Sequence, residues 1–102
     1  RSKMKAKFNE IIDSKIPVLL DFYATWCGPC QTLAPILADV KKEMGAGVKI
    51  IKIDVDKNPG VASKFNVRGV PTLILFKQGN PLWRHSGLMS RGDLTQVISS
   101  YT

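Results

Sequence analysis

Residues 16–30 read IPVLLDFYATWCGPC, and this stretch joins an apolar strand pattern to the beginning of a helical pattern. Its first part, residues 16–24, is almost continuously apolar, which is typical of a central strand covered on both faces. Residues 28–44 follow with apolar residues on one stripe of a helix, and Gly45 is a stop signal. The stretch therefore predicts a strand and a long helix with two cysteines at their junction.

The rest of the chain continues this alternation of helical and strand patterns. Further helices are predicted at residues 3–14, 61–65 and 90–100, and further strands at 48–55, 72–77 and 81–87. Turns are predicted at KNPG (57–60) and QGN (78–80), and Pro81 fits either an edge strand or the first residue of a strand, because proline cannot donate to a sheet. This order predicts an α/β domain with a mixed sheet and helices on both faces.

Length and composition exclude several classes of protein. The chain has 102 residues and a mass of 11.3 kDa, which predicts a single domain over residues 1–102. Hydrophobic residues make up 44% and charged residues 23%, which argues against intrinsic disorder. No apolar run approaches the roughly 20 residues that a transmembrane helix needs, so no membrane interaction is expected. Two cysteines are too few for a disulfide-rich secreted scaffold.

The net charge of +7 is concentrated at the N-terminus. Residues 1–7 read RSKMKAK and form a basic extension with four cations and no acid. A nucleic-acid-binding arm typically interleaves aromatic residues with the basic ones, and no such stripe occurs here. We therefore expect a solvated helix end and no nucleic-acid partner.

Both cysteines of the chain lie in Trp26-Cys-Gly-Pro-Cys30, at the predicted start of the long helix. Residues i and i+3 of a helix are about 5–6 Å apart, within reach of a disulfide. Pro29 suits the first helical turn, where its missing N–H costs nothing. The free N–H groups and the positive dipole of a helix N-terminus stabilise a thiolate. Cys27 is therefore expected to be the exposed, reactive thiol, and Cys30 is expected to lie one turn deeper.

Three other roles for the cysteine pair fit the sequence less well. A zinc site needs about four ligands, and the chain offers only His85 besides the two cysteines. A Cys–His hydrolase would need His85, which is predicted on the far hairpin strand, to reach Cys27. A structural disulfide that closes so short a loop would add little stability. A redox role is therefore favoured, no metal is expected, and His85 is expected at the surface.

The segment FYATWCGPC (22–30) resembles the active-site stretch of the thioredoxin family, and the likeness extends over nearly the whole chain. The other matching residues are Asp21, Pro35, Lys52, Asp56, Arg68-Gly-Val-Pro-Thr, Phe76-Lys-Gln-Gly and Gly87. The resemblance implies the thioredoxin fold, a central mixed sheet of four to five strands with helices on both faces. It also implies that Gly28 and Pro29 tune the redox pair, because the Gly-Pro form is the reductase type in that family.

The resemblance also implies roles for two charged residues. Asp21 is the one charge in an apolar strand, and an unpaired carboxylate is costly to bury unless its pKa is raised. In the family, this aspartate moves the proton of the buried cysteine, here Cys30. Lys52 either pairs electrostatically with Asp21 or extends from its strand into solvent, and the sequence leaves both possibilities open.

A substrate-binding surface is implied beside the redox pair. The resemblance implies that the Val70–Pro71 bond is cis and faces the disulfide, although most X–Pro bonds are trans. The backbone of Val70 would then pair with an extended substrate segment as an added strand. Trp26, Gly28, Gly69 and Gly87 would leave a flat apolar surface around Cys27 that accepts varied protein substrates.

The sequence is identified as a member of the thioredoxin family, with protein-disulfide reductase activity as the expected function. Cys27 would attack a substrate disulfide, and Cys30 would release the reduced product. No cofactor is expected beyond the Cys27–Cys30 pair, because no dinucleotide or phosphate-binding motif occurs. The expected partners are protein disulfides and an external electron donor, thioredoxin reductase or an equivalent, and the protein is expected to be a monomer.

Several features leave alternatives open. The family usually begins with a β-strand, and here RSKMKAK (1–7) stands in its place. Tyr23 stands where many relatives have Trp, and Trp83 has no assigned role. Because the sequence begins at Arg1 rather than at methionine, the lack of a signal peptide says little about the compartment. A cytoplasmic location is expected, and a periplasmic one stays open. The alternative functions are a domain of an extracytoplasmic thiol–disulfide protein, or a thioredoxin-fold binding scaffold with secondary redox activity.

Overall fold

The computed structural model describes the backbone of residues 2–102 and the side chains from residue 7 onwards. The helices are α1 (Ser2–Ile12), α2 (Gly28–Met44), α3 (Pro59–Lys64) and α4 (Arg91–Ser100), and a short 3₁₀ turn follows α2 at Gly45–Gly47. The strands are β1 (Val18–Tyr23), β2 (Lys49–Asp54), β3 (Thr72–Lys77) and β4 (Asn80–Ser86). The predicted basic extension starts outside the described residues at Arg1, and from Ser2 its backbone forms the first turns of α1.

The four strands form one mixed sheet in the order β2-β1-β3-β4. β1 is parallel to β2 and antiparallel to β3, and β4 is antiparallel to β3. The central position of β1 confirms the interpretation of its apolar run, and the outer position of β4 agrees with one of the two positions predicted for Pro81, an edge strand. Within residues 2–102 no strand precedes α1, so β2 is the other edge of the sheet in this part of the chain.

The core lies on both faces of the sheet, because residues of the central strands alternate between the two faces. One face is covered by α2 and α4, and its buried residues are Leu19, Leu33, Leu37, Val40, Val48, Leu73, Leu75, Leu94 and Ile98. The other face is covered by α1 and α3, and its buried residues are Phe8, Ile12, Val18, Leu20, Phe22, Ile74 and Phe76. This arrangement confirms the predicted α/β fold, with four strands in the sheet.

Proline and glycine residues set several of the element boundaries. α3 begins at Pro59, inside the predicted turn 57–60, because proline is favoured in the first turn of a helix. α2 ends at Gly45, which has a φ of +55° that favours glycine. The predicted QGN turn is a tight hairpin in which Gln78 and Gly79 both have positive φ, as a two-residue type I′ turn requires.

Candidate active site

The two cysteines lie where the carboxyl end of β1 leads into α2. Cys27 is the N-cap residue of α2, and its Sγ accepts a 3.1 Å hydrogen bond from the backbone N–H of Cys30. Gly28 and Pro29 are exposed between them in the first turn of the helix. The cysteines are joined by a disulfide with their Cα atoms 5.3 Å apart. The spacing predicted from the i, i+3 pattern is therefore found, and the structure holds the pair in its oxidised form.

The two cysteines are equally buried, so the expectation of an exposed Cys27 above a deeper Cys30 is wrong. The exposed fraction is 4% for Cys27 and 5% for Cys30. The physical reason is that the cysteines share a buried cluster with Ala24, and that Tyr23 at the end of β1 and the more distant Val55 and Val70 pack against this cluster. The two sulfur atoms therefore differ in their hydrogen bonding, because the Sγ of Cys27 accepts the hydrogen bond at the helix N-terminus.

Asp21 lies in β1, on the sheet face that α2 and α4 cover, because its neighbour at i−2, Leu19, belongs to the core of that face. Its exposed fraction is 1%, and its Oδ1 atom has no hydrogen-bond partner among the described residues. Burial raises the pKa of Asp21 from 3.8 to about 6, and the positive charge of Lys52 opposes part of this rise. Asp21 can therefore exchange a proton near neutral pH.

Lys52 lies opposite Asp21 in the register of the parallel strands β1 and β2. Its Nζ atom lies over the ring of Tyr23, 4.6 Å from the ring centroid. Among the described side chains no direct ion pair joins Lys52 to Asp21. Lys52 therefore acts on Asp21 through the field of its charge, while the ring of Tyr23 stabilises its ammonium group by a cation–π contact.

The residues expected to bind substrate lie together beside the cysteine pair. The Val70–Pro71 bond is cis, as expected. Val70 packs against the cysteines, and Gly69 is exposed, with no heavy atom within 4 Å of the position that a Cβ would occupy. The N–H of Gly87 donates a 2.9 Å hydrogen bond to the carbonyl oxygen of Pro71, and the φ of Gly87, +101°, favours glycine. The end of β4 therefore reaches the proline turn through Gly87.

An open cleft of about 110 Å³ separates the cysteine loop from the segment that precedes β3. Its lining residues are Trp26, Val55, Val67, Arg68, Gly69 and Val70. The structure thus brings three of the expected substrate-binding residues to one surface. Nothing in the sequence marks Val55 or Val67 as part of it, because both stand in ordinary apolar patterns.

Trp26 is 71% exposed, yet its indole is held in place. The Nε1–H group donates a 2.9 Å hydrogen bond to the Oδ2 atom of Asp56. Asp56 follows β2, and the parallel strands β1 and β2 end at the same edge of the sheet. From the sequence, Asp56 is noted only as one of the residues that match the family. Its position beside Trp26 could have been predicted only by first predicting that β1 and β2 pair in parallel.

His85 makes its contacts within β4 and the turn that follows. Its ring stacks on Trp83 with the centroids 5.9 Å apart, and its Nε2 atom lies 3.3 Å from the carbonyl oxygen of Leu88. Trp83 packs against the core cluster beneath α2 and α4, which gives this unassigned aromatic residue a structural role.

In residues 2–102 no three His, Cys, Asp or Glu side chains are grouped to hold a metal ion. None of the helices described above is long and apolar enough to cross a membrane.

Comparison with known proteins identifies the family. The sequence profile of the Thioredoxin family matches residues 1–100. A thioredoxin-like protein of Synechocystis sp. is 44% identical over 100 residues, which cover 97% of this chain and 95% of that protein. The thioredoxin of Rickettsia felis is 40% identical over 90 residues, which cover 88% of this chain and 86% of that protein. Thioredoxin Y, a chloroplastic protein of Oryza sativa, is 42% identical over 96 residues, but these cover only 57% of its length.

A comparison of structures agrees with the sequence matches. A variant thioredoxin from Halobacterium salinarum superposes with a TM-score of 0.85 at 41% identity, covering 95% of this chain and 84% of the other. This similarity confirms the expected fold. The profile match and the relatives, together with the cysteine pair, assign protein-disulfide oxidoreductase activity, and they favour neither a binding scaffold nor an extracytoplasmic domain. The chain therefore belongs to the thioredoxin family.

Proposed function

We propose that the chain reduces disulfide bonds in other proteins, with Cys27 as the attacking thiolate and Cys30 as the resolving thiol. The observation that supports this order is the hydrogen bond from the backbone N–H of Cys30 to the Sγ of Cys27 at the N-terminus of α2. In the reduced protein, this N–H group and the helix dipole would stabilise a thiolate on Cys27. A free thiol with a pKa near 8.5 is only about 3% ionised at pH 7, so this stabilisation increases the fraction of the nucleophile.

The reaction transfers two electrons from the protein to the substrate, and the two substrate thiolates take up two protons from the surrounding water. The Cys27 thiolate attacks one sulfur of the substrate disulfide, so that a Cys27–substrate disulfide forms, the substrate bond breaks and the leaving thiolate takes up a proton. Cys30 then loses its proton, attacks the Sγ of Cys27 and displaces the second substrate thiolate, which is protonated in turn. The product is the Cys27–Cys30 disulfide, the state that the structure holds.

Asp21 is proposed as the acceptor of the Cys30 proton. A carboxyl group with a pKa of about 6 is mostly ionised at pH 7 and is still a stronger base than an ordinary aspartate. Its Oδ1 atom, which has no hydrogen-bond partner among the described residues, is available to take up a proton. Lys52 limits the rise of the pKa, which keeps the carboxylate form available at neutral pH.

Protein substrates are proposed to dock along Gly69 and Val70, where an extended segment would pair with the backbone as an added strand. The packing of Val70 against the cysteine pair supports this position, because a segment bound there passes close to the reacting sulfur. No heavy atom lies within 4 Å of the position that a Cβ of Gly69 would occupy, so a segment can approach the backbone at this residue. Trp26 and Gly87 would flank the bound segment. Trp26 would provide an apolar surface, and Gly87, which has no side chain, would leave room for the segment.

The remaining partners follow from the chemistry. The oxidised pair must be reduced again by an external donor, for which we propose thioredoxin reductase or an equivalent enzyme, with no bound cofactor besides the cysteine pair. Bacterial thioredoxins among the relatives support a cytoplasmic location, where thiols are kept reduced. The protein is proposed to act as a monomer.

Insulin reduction tests this function. With dithiothreitol as donor, the protein should accelerate the precipitation of insulin chains, measured as turbidity. Cys27→Ser should abolish the acceleration, whereas Cys30→Ser should accumulate a mixed disulfide with the substrate on a non-reducing gel. A wild-type rate equal to that of dithiothreitol alone would reject the reductase function. A mixed disulfide that forms only in Cys27→Ser would reverse the order of the two cysteines.

A further inference from the structure

The segment between α3 and β3, residues 65–71, carries the proposed docking residues and is called the substrate loop below. The guanidinium group of Arg84, in the middle of β4, donates hydrogen bonds to two successive carbonyl oxygens at the start of this loop. The acceptors are those of Phe65 and Asn66, the latter at 2.8 Å. Arg84 is thus a side-chain link between the edge strand and the substrate loop.

The geometry of this link follows from the end of α3. The last carbonyl groups of a helix have no partner within the helix, and Phe65 is the C-cap residue of α3. Asn66 follows with a φ of +54°, a left-handed conformation that ends the helix and turns the chain. Arg84 pairs with Ile74 in the sheet register, so its side chain projects to the face where α3 packs. The planar fork of a guanidinium group can bond both carbonyl oxygens at once.

The other end of the substrate loop is also attached to β4. The hydroxyl of Thr72 donates a 2.7 Å hydrogen bond to the carbonyl oxygen of Gly69, and it lies 3.2 Å from the hydroxyl of Ser86. The N–H of Gly87 bonds the carbonyl oxygen of Pro71. The loop is therefore anchored to one strand at both ends, and the guanidinium group of Arg84 bonds the backbone at its beginning.

We propose that Arg84 is a positioning residue for the reduction of protein disulfides, because it fixes the start of the substrate loop and thereby the placement of Gly69 and Val70 beside Cys27. This inference rests on the proposed docking of protein substrates along that loop. A protein substrate needs the loop backbone as a template, whereas a small disulfide can reach the sulfur of Cys27 without it. Loss of Arg84 should therefore weaken the binding of protein substrates and leave the reactivity of Cys27 unchanged.

The test compares two substrates in stopped-flow reactions of the pre-reduced protein. Arg84→Met removes both hydrogen bonds, and we expect the KM for insulin to rise about five- to tenfold, with the maximal rate within about twofold of wild type. The second-order rate constant for the neutral disulfide 2,2′-dithiodipyridine should stay within about twofold of wild type. Arg84→Lys keeps the charge and one donor group, so it should recover part of the insulin KM. Arg91→Met is the matched control, because it removes a guanidinium group from a surface ion pair with Glu43 on α2.

The outcomes separate this inference from the proposed function. An unchanged insulin KM in Arg84→Met, or an equal loss with both disulfides, would overturn the positioning role while leaving the reductase function intact. A wild-type protein that reduces dithiodipyridine but not insulin would instead reject the proposed function. If Arg84→Met does not fold, amide hydrogen exchange in Arg84→Lys decides the question. Faster exchange confined to residues 66–70 supports the inference, and exchange that is unchanged or faster throughout the chain contradicts it.

Discussion

The indole Nε1–H of Trp26 donates a 2.9 Å hydrogen bond to a carboxylate oxygen of Asp56. The bond connects the loop before α2 with the segment after β2, two parts of the chain that are 30 residues apart. It gives one orientation to an aromatic side chain that is 71% exposed and would otherwise be free to change rotamer. Trp26 therefore presents a fixed apolar surface next to Cys27.

Replacement of Asp56 by alanine should weaken substrate binding with little effect on stability. In Asp56→Ala the indole of Trp26 loses its acceptor, so kcat/KM for insulin should fall about threefold. The free energy of unfolding should change by less than about 1 kcal/mol, because both side chains are exposed. Insulin kinetics and urea unfolding measure the two effects. Asp39→Ala, which removes an exposed carboxylate from α2, is the control, and equal kinetics in the two variants would contradict the prediction.

The helices and strands of the fold could be predicted from the sequence, because their residue patterns and end signals each indicate one type of secondary structure. The bounds of α2 agree with the prediction, since Pro29 and Gly45 mark its two ends. The apolar run of β1 predicted its central position. The strand order β2-β1-β3-β4 and the edge position of β2 depend on contacts between distant segments, and no local pattern in a single sequence contains them.

The site could be predicted only where its residues stand in one motif or break a pattern. Cys27 belongs to such a motif, and Asp21 stands out as a charge in an apolar strand. The prediction that Cys27 is exposed was wrong, because Val55 and Val70 from distant segments pack against the cluster that contains it, and no local pattern shows this contact. Arg84 is an ordinary surface residue in the sequence, and only the fold places its guanidinium group beside the end of α3.

A side chain at Gly69 should obstruct protein substrates without disturbing the fold. A Cβ there meets no other atom within 4 Å, so Gly69→Val should change the free energy of unfolding by less than about 0.5 kcal/mol. The added side chain would occupy the proposed path of the substrate, and the KM for insulin should rise about fivefold or more. Reaction with 2,2′-dithiodipyridine should not change. Gly92→Ala in α4 is the control, and an insulin KM as low as that of the control would place the substrate elsewhere.

The buried carboxyl group of Asp21 should make the stability of the protein depend on pH. Below 3.8 the group is protonated in both the folded and the unfolded chain, so Asp21→Asn should then leave the free energy of unfolding nearly unchanged. Between 3.8 and about 6 the unfolded chain ionises first, and the wild type loses stability as the pH rises. The full loss, about 3 kcal/mol at 1.36 kcal/mol per pKa unit, should be present at pH 8.

Asp21→Asn should therefore be more stable than wild type at pH 8 and similar to it at pH 3, as measured by urea unfolding. The same variant should resolve the mixed disulfide more slowly at neutral pH, because Cys30 loses its proton acceptor. Stopped-flow decay of the mixed disulfide measures this rate. If the variant is less stable than wild type at pH 8 and resolves the mixed disulfide at the wild-type rate, Asp21 has only a structural role.

Removal of the charge at Lys52 should extend this pH dependence. The ammonium group opposes the rise in the pKa of Asp21, so Lys52→Met should raise that pKa above about 6. The pH range over which stability declines should then reach higher pH, and the difference in the free energy of unfolding between pH 3 and pH 8 should increase. Loss of the cation–π contact with Tyr23 lowers stability at both pH values and does not affect this difference. Urea unfolding from pH 3 to pH 9 measures this difference in the free energy of unfolding.

Lys49→Met is the matched control, because Lys49 lies on the same strand three residues away, opposite Val18 instead of Asp21. An equal pH profile in the two variants would show that Lys52 does not act on the carboxyl group of Asp21.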